Sequence, residues 1–311
     1  MNKEMHCLTE ALGTVISGKE GIIGRMLTAL FAGGHILLDD VPGVGKTTLA
    51  LAMGRVMDLR FGRIQFTPDV LPSDIVGYSV YNKDTGDFEY KAGAVHGVNL
   101  LLGDEINRTS SKTQAAFLEA MEEKQITVDG TTYALADPFT VIATQNHVGT
   151  AGTQLLPYAQ IDRFMVCLSI GYPDHAAQME LLERRQNSNP LDALSALLTI
   201  ERAREIRAEV QAVTAKRQIL EYLSALVIAT RAHELCSVGV SPRGMLHLDK
   251  MAKAFAYMEG RDYVIPEDVQ AVFEDVCAHR IIVTPKARMS GTTAKDVLRD
   301  VLAATPVPDW K

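Results

Sequence analysis

Cysteine is scarce in this 311-residue chain: Cys7, Cys167, Cys236 and Cys277 are scattered, with no C-x-x-C and no histidine at ligand spacing. Disulfide and zinc frameworks both fall away, and free thiols in a reducing cytosol are expected. Long apolar runs are missing too. None reaches ~18 residues, and Met1-Asn2-Lys3-Glu4-Met5-His6 lacks the charged-then-apolar order of a signal peptide, so a cytoplasmic protein without a membrane segment is expected. An excess of positive charge is also absent. The net charge of -7 and pI near 5.6 make a poor footprint for a protein whose main partner is nucleic acid. Arginines and lysines do gather between Glu201 and Arg217, but they alternate with Glu201, Glu205 and Glu209, the pattern of a solvated helix face. There is one Trp, Trp310, in a tail (306–311) that is expected to be extended.

What remains is an ordinary globular composition, 47% hydrophobic and 22% charged, long enough for two domains. Its most informative stretch is Ile36-Leu37-Leu38-Asp39-Asp40-Val41-Pro42-Gly43-Val44-Gly45-Lys46-Thr47-Thr48, a buried strand running into a glycine loop and then a helix. This is the build of a phosphate-binding loop. Gly43 and Gly45 let backbone N–H groups turn toward a β-phosphate, Lys46 reaches the β/γ oxygens, and the Thr47 hydroxyl is placed for Mg²⁺. Residues 42–48 (Pro42, Gly43, Val44, Gly45, Lys46, Thr47, Thr48) are therefore the expected ATP contacts. Position 40 is Asp where the longer G-x-x-x-x-G-K-[ST] pattern wants Gly, so the match is to the P-G-x-G-K-T form.

Strands expected at 63–66, 100–103, 140–144 and 164–168 alternate with helical patterns, which predicts a parallel α/β sheet. Two β-hairpins are expected within it, 78–90 around Asn82-Lys83-Asp84-Thr85-Gly86-Asp87 and 126–134 around Asp129-Gly130. Residues 1–33 read as helical, residues 187–217 as a linker region, and 218–305 as a small all-α domain with helices at 218–233, 242–259 and 266–280. The nucleotide-binding core is thus expected at 1–186.

Val98 to Gly103 is an apolar strand that ends in Asp104-Glu105. Two carboxylates leaving a buried strand are costly unless a cation or a reaction uses them, the alternative being a capping pair. Asp104 would hold Mg²⁺ and Glu105 would polarise the water that attacks a γ-phosphate. Asn146, after the strand 139–144, stands where it either reaches that water or forms a turn. Gln65 could contact Glu105 and hold it inactive. Arg243, in the first turn of a helix capped by Ser241 and Pro242, opposes the helix dipole, a conflict removed if it faces a nucleotide phosphate. Arg163 is either an ordinary partner of Asp162 or a group with a better use.

In this order the motifs resemble those of AAA+ ATPases and, more narrowly, the MoxR family. The matching segments are Gly33 to Leu38, Phe66-Thr67-Pro68-Asp69-Val70-Leu71-Pro72-Ser73-Asp74-Ile75, Asp104 to Arg108, Leu118 to Glu123 and Ala143 to Asn146. The resemblance implies an α/β P-loop core with inserted β-hairpins followed by an all-α lid. It implies Asp104 and Glu105 as the Walker B pair, Asn146 as sensor 1, Arg163 as an arginine finger and Arg243 as sensor 2. It also implies a hexameric ring that uses ATP and Mg²⁺ to remodel protein clients, often with a von Willebrand factor A domain protein. Ser17-Gly18-Lys19 stands where Gly-Gln is commoner in the family. A DNA-acting motor or loader and a magnesium-chelatase-like ATPase subunit are the competing readings, the first opposed by the acidic charge.

Overall fold

The computed structural model describes residues 2–146, 156–187 and 190–309, with side chains excluded at 184–187. The expectations for the linker residues Ser188 and Asn189 and for Trp310 lie outside the described residues. Along the core the elements are α1 (Lys3–Gly13), α2 (Glu20–Phe31), β1 (Ile36–Asp39), α3 (Lys46–Val56), β2 (Phe61–Gln65), α4 (Pro72–Val76), β3 (Gly77–Tyr81), β4 (Phe88–Ala92), β5 (Leu100–Asp104), α5 (Ser111–Glu123), β6 (Gln125–Val128), β7 (Thr131–Ala134), β8 (Thr140–Gln145), α6 (Tyr158–Ile161), β9 (Val166–Leu168) and α7 (His175–Asn187). Then come α8 (Ile200–Ala212), α9 (Arg217–Ala232), β10 (Cys236–Val238), α10 (Pro242–Met258), α11 (Pro266–Cys277), β11 (Ile282–Val283), α12 (Pro285–Met289) and α13 (Ala294–Ala304).

The central sheet is parallel throughout, in the order β2-β5-β8-β1-β9. Its inner strands β5, β8 and β1 are buried on both faces almost throughout, as a sheet covered on both sides requires. Successive residues go to opposite layers. Ile36, Leu38, Leu100 and Leu102 join one core with α1, α2, α3 and the lid helices, whereas Leu37, Leu101 and Val141 join a second with Phe66, Phe117 and Met121. Because all five strands run the same way, their C-terminal ends form one edge of the sheet and their N-terminal ends the other. That polarity decides where each functional residue can act.

Both hairpins form antiparallel pairs outside the sheet, β3 with β4 and β6 with β7. The first leaves its aromatics exposed, Tyr78 at 52% and Phe88 at 73%. Three expectations need correction. Residues 1–33 are two helices, broken by a turn in which Gly18 adopts φ +72°. The stretch 187–217 is more than a linker, since α8 packs Ala203, Ile206 and Val210 into the larger core. Its Arg207 is buried, donating from Nε to Leu30 O at 3.0 Å and from its guanidinium to Thr140 Oγ1, and burial pushes it down to about 10. Arg207 aside, the solvated face that was expected is present: Arg202 pairs with Glu4 and Glu209, Arg204 lies near Asp137, Arg217 pairs with Glu221, and Glu201, Glu205 and Glu209 are exposed. Finally, the helical lid also carries a short antiparallel pair, β10 with β11.

Candidate nucleotide site

β1 ends at Asp39, and residues 40–45 turn into α3. Gly43 and Gly45 adopt φ +83° and +93°, a region closed to most side chains, and a Cβ at Gly45 would stand 2.9 Å from Ile16 Cδ1. The loop therefore needs glycine for both conformation and space. The N–H groups that open α3 have no partner within the helix and point at the loop, which favours an anion there. A cleft of about 180 Å³ adjoins it, lined by Val15, Ile16, Gly43, Gly45, Gly171 and Ala177 among others. Its apolar flank, from the α1–α2 turn and the start of α7, suits a flat base beside the phosphate loop. Ser17 and Lys19 line the same cleft.

Asp40, the departure from the longer glycine pattern, has a structural use: its carboxylate accepts from the N–H of Gly171 at 3.1 Å and from that of Ile170. It ties the base of the loop to the segment that follows β9. Lys46 Nζ donates to Asp40 O at 2.9 Å. Burial pushes the Lys46 ammonium down, while the carboxylates of Asp40, Asp104, Asp39 and Glu105 oppose that shift.

The register brings the other expected residues to the same edge. β5 pairs with β8 on one side and β2 on the other, and β8 also pairs with β1, so Asp104, Glu105 and Asn146 stand beside the loop. Thr47 Oγ1 lies 3.5 Å from Asp104 Oδ2. A hydroxyl and a 6%-exposed carboxylate are hard oxygen donors of the kind Mg²⁺ takes, and the ion bound there would offset charge on phosphate oxygens. Glu105 adopts φ 56°, ψ 49°, a left-handed conformation that costs a non-glycine residue about 1–3 kcal/mol. Its N–H donates to Thr144 Oγ1 at 2.9 Å, and that hydroxyl in turn donates to Asp104 Oδ1 at 3.3 Å. The backbone strain is thus held by the neighbouring strand, and it aims the Glu105 carboxylate out of the sheet edge.

That carboxylate is occupied. Gln65 Nε2 donates to Glu105 Oε2 at 3.1 Å, the contact expected from sequence, and Arg108 NH1 reaches the same oxygen at 2.7 Å. Arg63 donates to Asp104 Oδ2 from Nε at 2.8 Å. Sequence reasoning missed Arg63, Arg108 and Thr144. Arg63 had a signal, because it precedes Gln65 by two on one strand and so shares its face. Asn146 accepts at its backbone oxygen from Asn107 Nδ2 at 3.3 Å.

Arg163 and Arg243 are not at this edge. Met165 N donates to His35 O at 2.8 Å, and His35 Nε2 donates to Met121 O at 2.9 Å, which sets Arg163 and Glu122 at the N-terminal end of β1. The four residues of β1, roughly 13 Å of strand, separate them from the loop. There Arg163 NH1 lies 3.2 Å from Glu122 Oε2 and Arg243 NH2 2.6 Å from Glu122 Oε1. Asp162, offered as a partner for Arg163, is instead held by Ser241 and Arg280. The dipole conflict at Arg243 is relieved by Glu122, not by a phosphate of its own loop.

Comparison with known proteins agrees with this architecture. Residues 35–166 match the ATPase family associated with various cellular activities (AAA), and residues 228–301 match an AAA lid domain. YeaC of Bacillus subtilis is 46% identical over 299 residues, covering 96% of this chain and 93% of that protein. Chaperone MoxR1 of Mycobacterium tuberculosis is 37% identical over 319 residues, covering 98% and 83%. A crystal structure from Cytophaga hutchinsonii, described as a candidate ATPase, superposes with a TM-score of 0.91 at 38% identity, covering 98% of this chain and 95% of that one. The fold is that of the AAA ATPases. Within that class, the chain belongs to the MoxR family.

Proposed function

We propose that this protein hydrolyses ATP at junctions between copies of itself, arranged as a hexameric ring, and uses the cycle to remodel protein clients. One observation carries the reading: Arg163 and Arg243 share Glu122 at the sheet edge opposite Lys46. Neither can serve the phosphate loop of its own chain without leaving that edge, whereas both can serve a neighbour. An interface that sets one edge against the other is heterologous, the kind that makes a ring where its rotation closes. In this arrangement Lys46 carries charge to the β/γ oxygens, Thr47 and Asp104 supply oxygen donors, and Glu105 polarises the attacking water that Asn146 helps orient. The neighbour's arginines add cations where charge develops in the transition state.

A protein client is supported by the name of one relative, a chaperone, and by the exposed aromatics of the first hairpin, Tyr78, Tyr81 and Phe88. A von Willebrand factor A domain protein is one form that partner takes in this reading.

The test mixes two inactive variants. Arg163→Ala and Glu105→Gln each retain ATP binding and each lose turnover, by about 10³-fold or more for the arginine. Equimolar mixed assemblies regain activity, because some junctions combine Glu105 from one chain with Arg163 from the other. No recovery in assemblies shown to be mixed refutes the reading.

A further inference from the structure

Arg280 belongs to the lid, in the short turn Ala278–Arg280 after α11, yet its side chain is fully buried and ends among atoms of the core. Its Nε donates to Asp162 Oδ1 at 2.9 Å, its NH2 to Asp162 O at 3.0 Å and to Phe164 O, and its NH1 to Met165 O at 3.2 Å. These acceptors lie on both sides of Arg163 in the chain. They fix the backbone from which the Arg163 side chain projects.

The surroundings are built to admit this guanidinium. A Cβ at Gly244 would stand 2.6 Å from Arg280 Cδ and 2.7 Å from Val240 Cγ1, so the first turn of α10 has no room for a side chain at 244. His247 Nδ1 lies 2.8 Å from Arg280 NH2, and His279 Nε2 lies 2.7 Å from NH1. Burial, and then the Arg280 charge, push both imidazoles down, which favours their neutral forms beside this guanidinium. Ser241 Oγ caps α10 by accepting from Gly244 N at 3.0 Å, and its hydroxyl donates to the Asp162 carboxylate, 2.9 and 3.0 Å from the two oxygens. Of the two residues between Ser241 and Gly244, Arg243 is the one whose side chain reaches Glu122, at 2.6 Å. One buried cluster therefore sets the origin of both arginines, one from the core and one from the lid. An apolar plug would hold the two domains together as well as a buried ion pair does, which leaves the pair a role in specifying geometry.

We propose that Arg280 is the positioning residue for the arginines offered to the neighbouring subunit, locking the lid to the segment Asp162–Met165 so that Arg163 and Arg243 are presented as one unit. This rests on the reading that both act in trans. Arg280→Met should keep ATP affinity, since the phosphate loop is at the other edge, and lose about 10²-fold in turnover, the scale of an ångström-level misplacement. Its distinguishing readout is complementation. Mixed with Glu105→Gln it should regain activity, because the partner supplies well-placed arginines. Mixed with Arg163→Ala it should not, because both chains then fail in the same role.

Arg280→Lys, which keeps a buried cation for Asp162 but loses the fork, should show the same pattern with a smaller loss. It replaces the methionine variant should that one not fold. Wild-type turnover by Arg280→Lys overturns the proposal. So does failure of either Arg280 variant to complement Glu105→Gln in assemblies where Arg163→Ala succeeds. If Arg163→Ala itself fails to complement Glu105→Gln, the trans reading falls first and takes this inference with it.

Discussion

Thr144→Val separates the strand that holds Glu105 from the chemistry Glu105 performs. Valine has nearly the shape of threonine, so packing in β8 is kept, and only the hydroxyl goes. That hydroxyl is 1% exposed as part of its residue, accepts from Glu105 N at 2.9 Å and donates to Asp104 Oδ1 at 3.3 Å. Losing the first bond leaves a partly buried N–H short of its acceptor. Losing the second removes one donor from a carboxylate that keeps Arg63 at 2.8 Å, and the bond is long, so its share is modest. Together they are worth roughly 2–3 kcal/mol of stability. The larger effect should fall on turnover, because the left-handed conformation of Glu105 loses the anchor that holds it against its own strain. Urea unfolding of Thr144→Val should show a lowered midpoint with an unchanged slope. Steady-state assays should show kcat reduced about tenfold or more with ATP affinity nearly kept. Thr144→Ser, which restores the hydroxyl, should recover most of kcat. A valine variant with wild-type kcat, or a serine variant as impaired as valine, refutes the assignment of the hydroxyl as the anchor.

Removing the amide that holds the Glu105 carboxylate, in Gln65→Ala, should raise turnover measured without a client and shrink the stimulation a client gives; unchanged basal turnover argues against a restraining role for the 3.1 Å contact. Deleting residues 82–87 shortens the tip between β3 and β4 without touching the sheet, so basal ATPase activity should persist while client capture in a pull-down weakens; full capture places the client elsewhere. Acidification should destabilise the fold before most carboxylates titrate. Burial pushes His35 and His247 down to about 3 and His279 well below its ordinary value of 6.5, so the unfolded chain takes up protons that the folded one refuses, and stability falls as pH drops from 6.5. At pH 5.5 each ring contributes about 1.4 kcal/mol, roughly 4 kcal/mol in all, and equal urea midpoints at pH 7.5 and 5.5 would show that the rings are not held neutral.

The phosphate loop was legible because everything it needs is local: a strand, two glycines, Lys46, Thr47 and a helix in thirteen consecutive residues. Asp104-Glu105 was legible for a related reason, since paired carboxylates contradict the apolar strand that precedes them. Even the Gln65 contact followed from a polar residue on an otherwise apolar strand. By contrast, the burial of one face of α8 was hidden because its buried stripe, Ala203, Ile206 and Val210, uses one small and two β-branched residues among many charges. The meeting of Arg163, Arg243 and Glu122 depends on how the lid docks, a long-range outcome with no local periodicity. Arg280 sits in an ordinary Ala-His-Arg turn, and its only trace in the sequence is a glycine in the first turn of the helix that crosses it.

The three arginines at the lid–core junction differ in a way that bears on function. Arg163 and Arg243 are 30% and 41% exposed, and solvent-screened pairs of this kind contribute little, about 0–1 kcal/mol each. Their hold on Glu122 is therefore weak enough to exchange for a phosphate. Arg280, with no exposed surface and a carboxylate partner at 2.9 Å, has no such freedom, because breaking its pair would strand a buried charge. Two of the cations face the Glu122 carboxylate, the third is matched by Asp162, and Asp162 also stands 4.0 Å from Arg243. On the exposed side the two exchangeable arginines stand among carboxylates, since Glu119 and Glu123 line the same cavity as Arg163 and Glu122. In the proposed ring, a neighbouring subunit's ATP would offer phosphate oxygens to arginines whose present partner is a solvent-screened carboxylate. Engagement would then exchange an ion pair within one chain for one between chains, while the buried Arg280–Asp162 pair holds lid and core together.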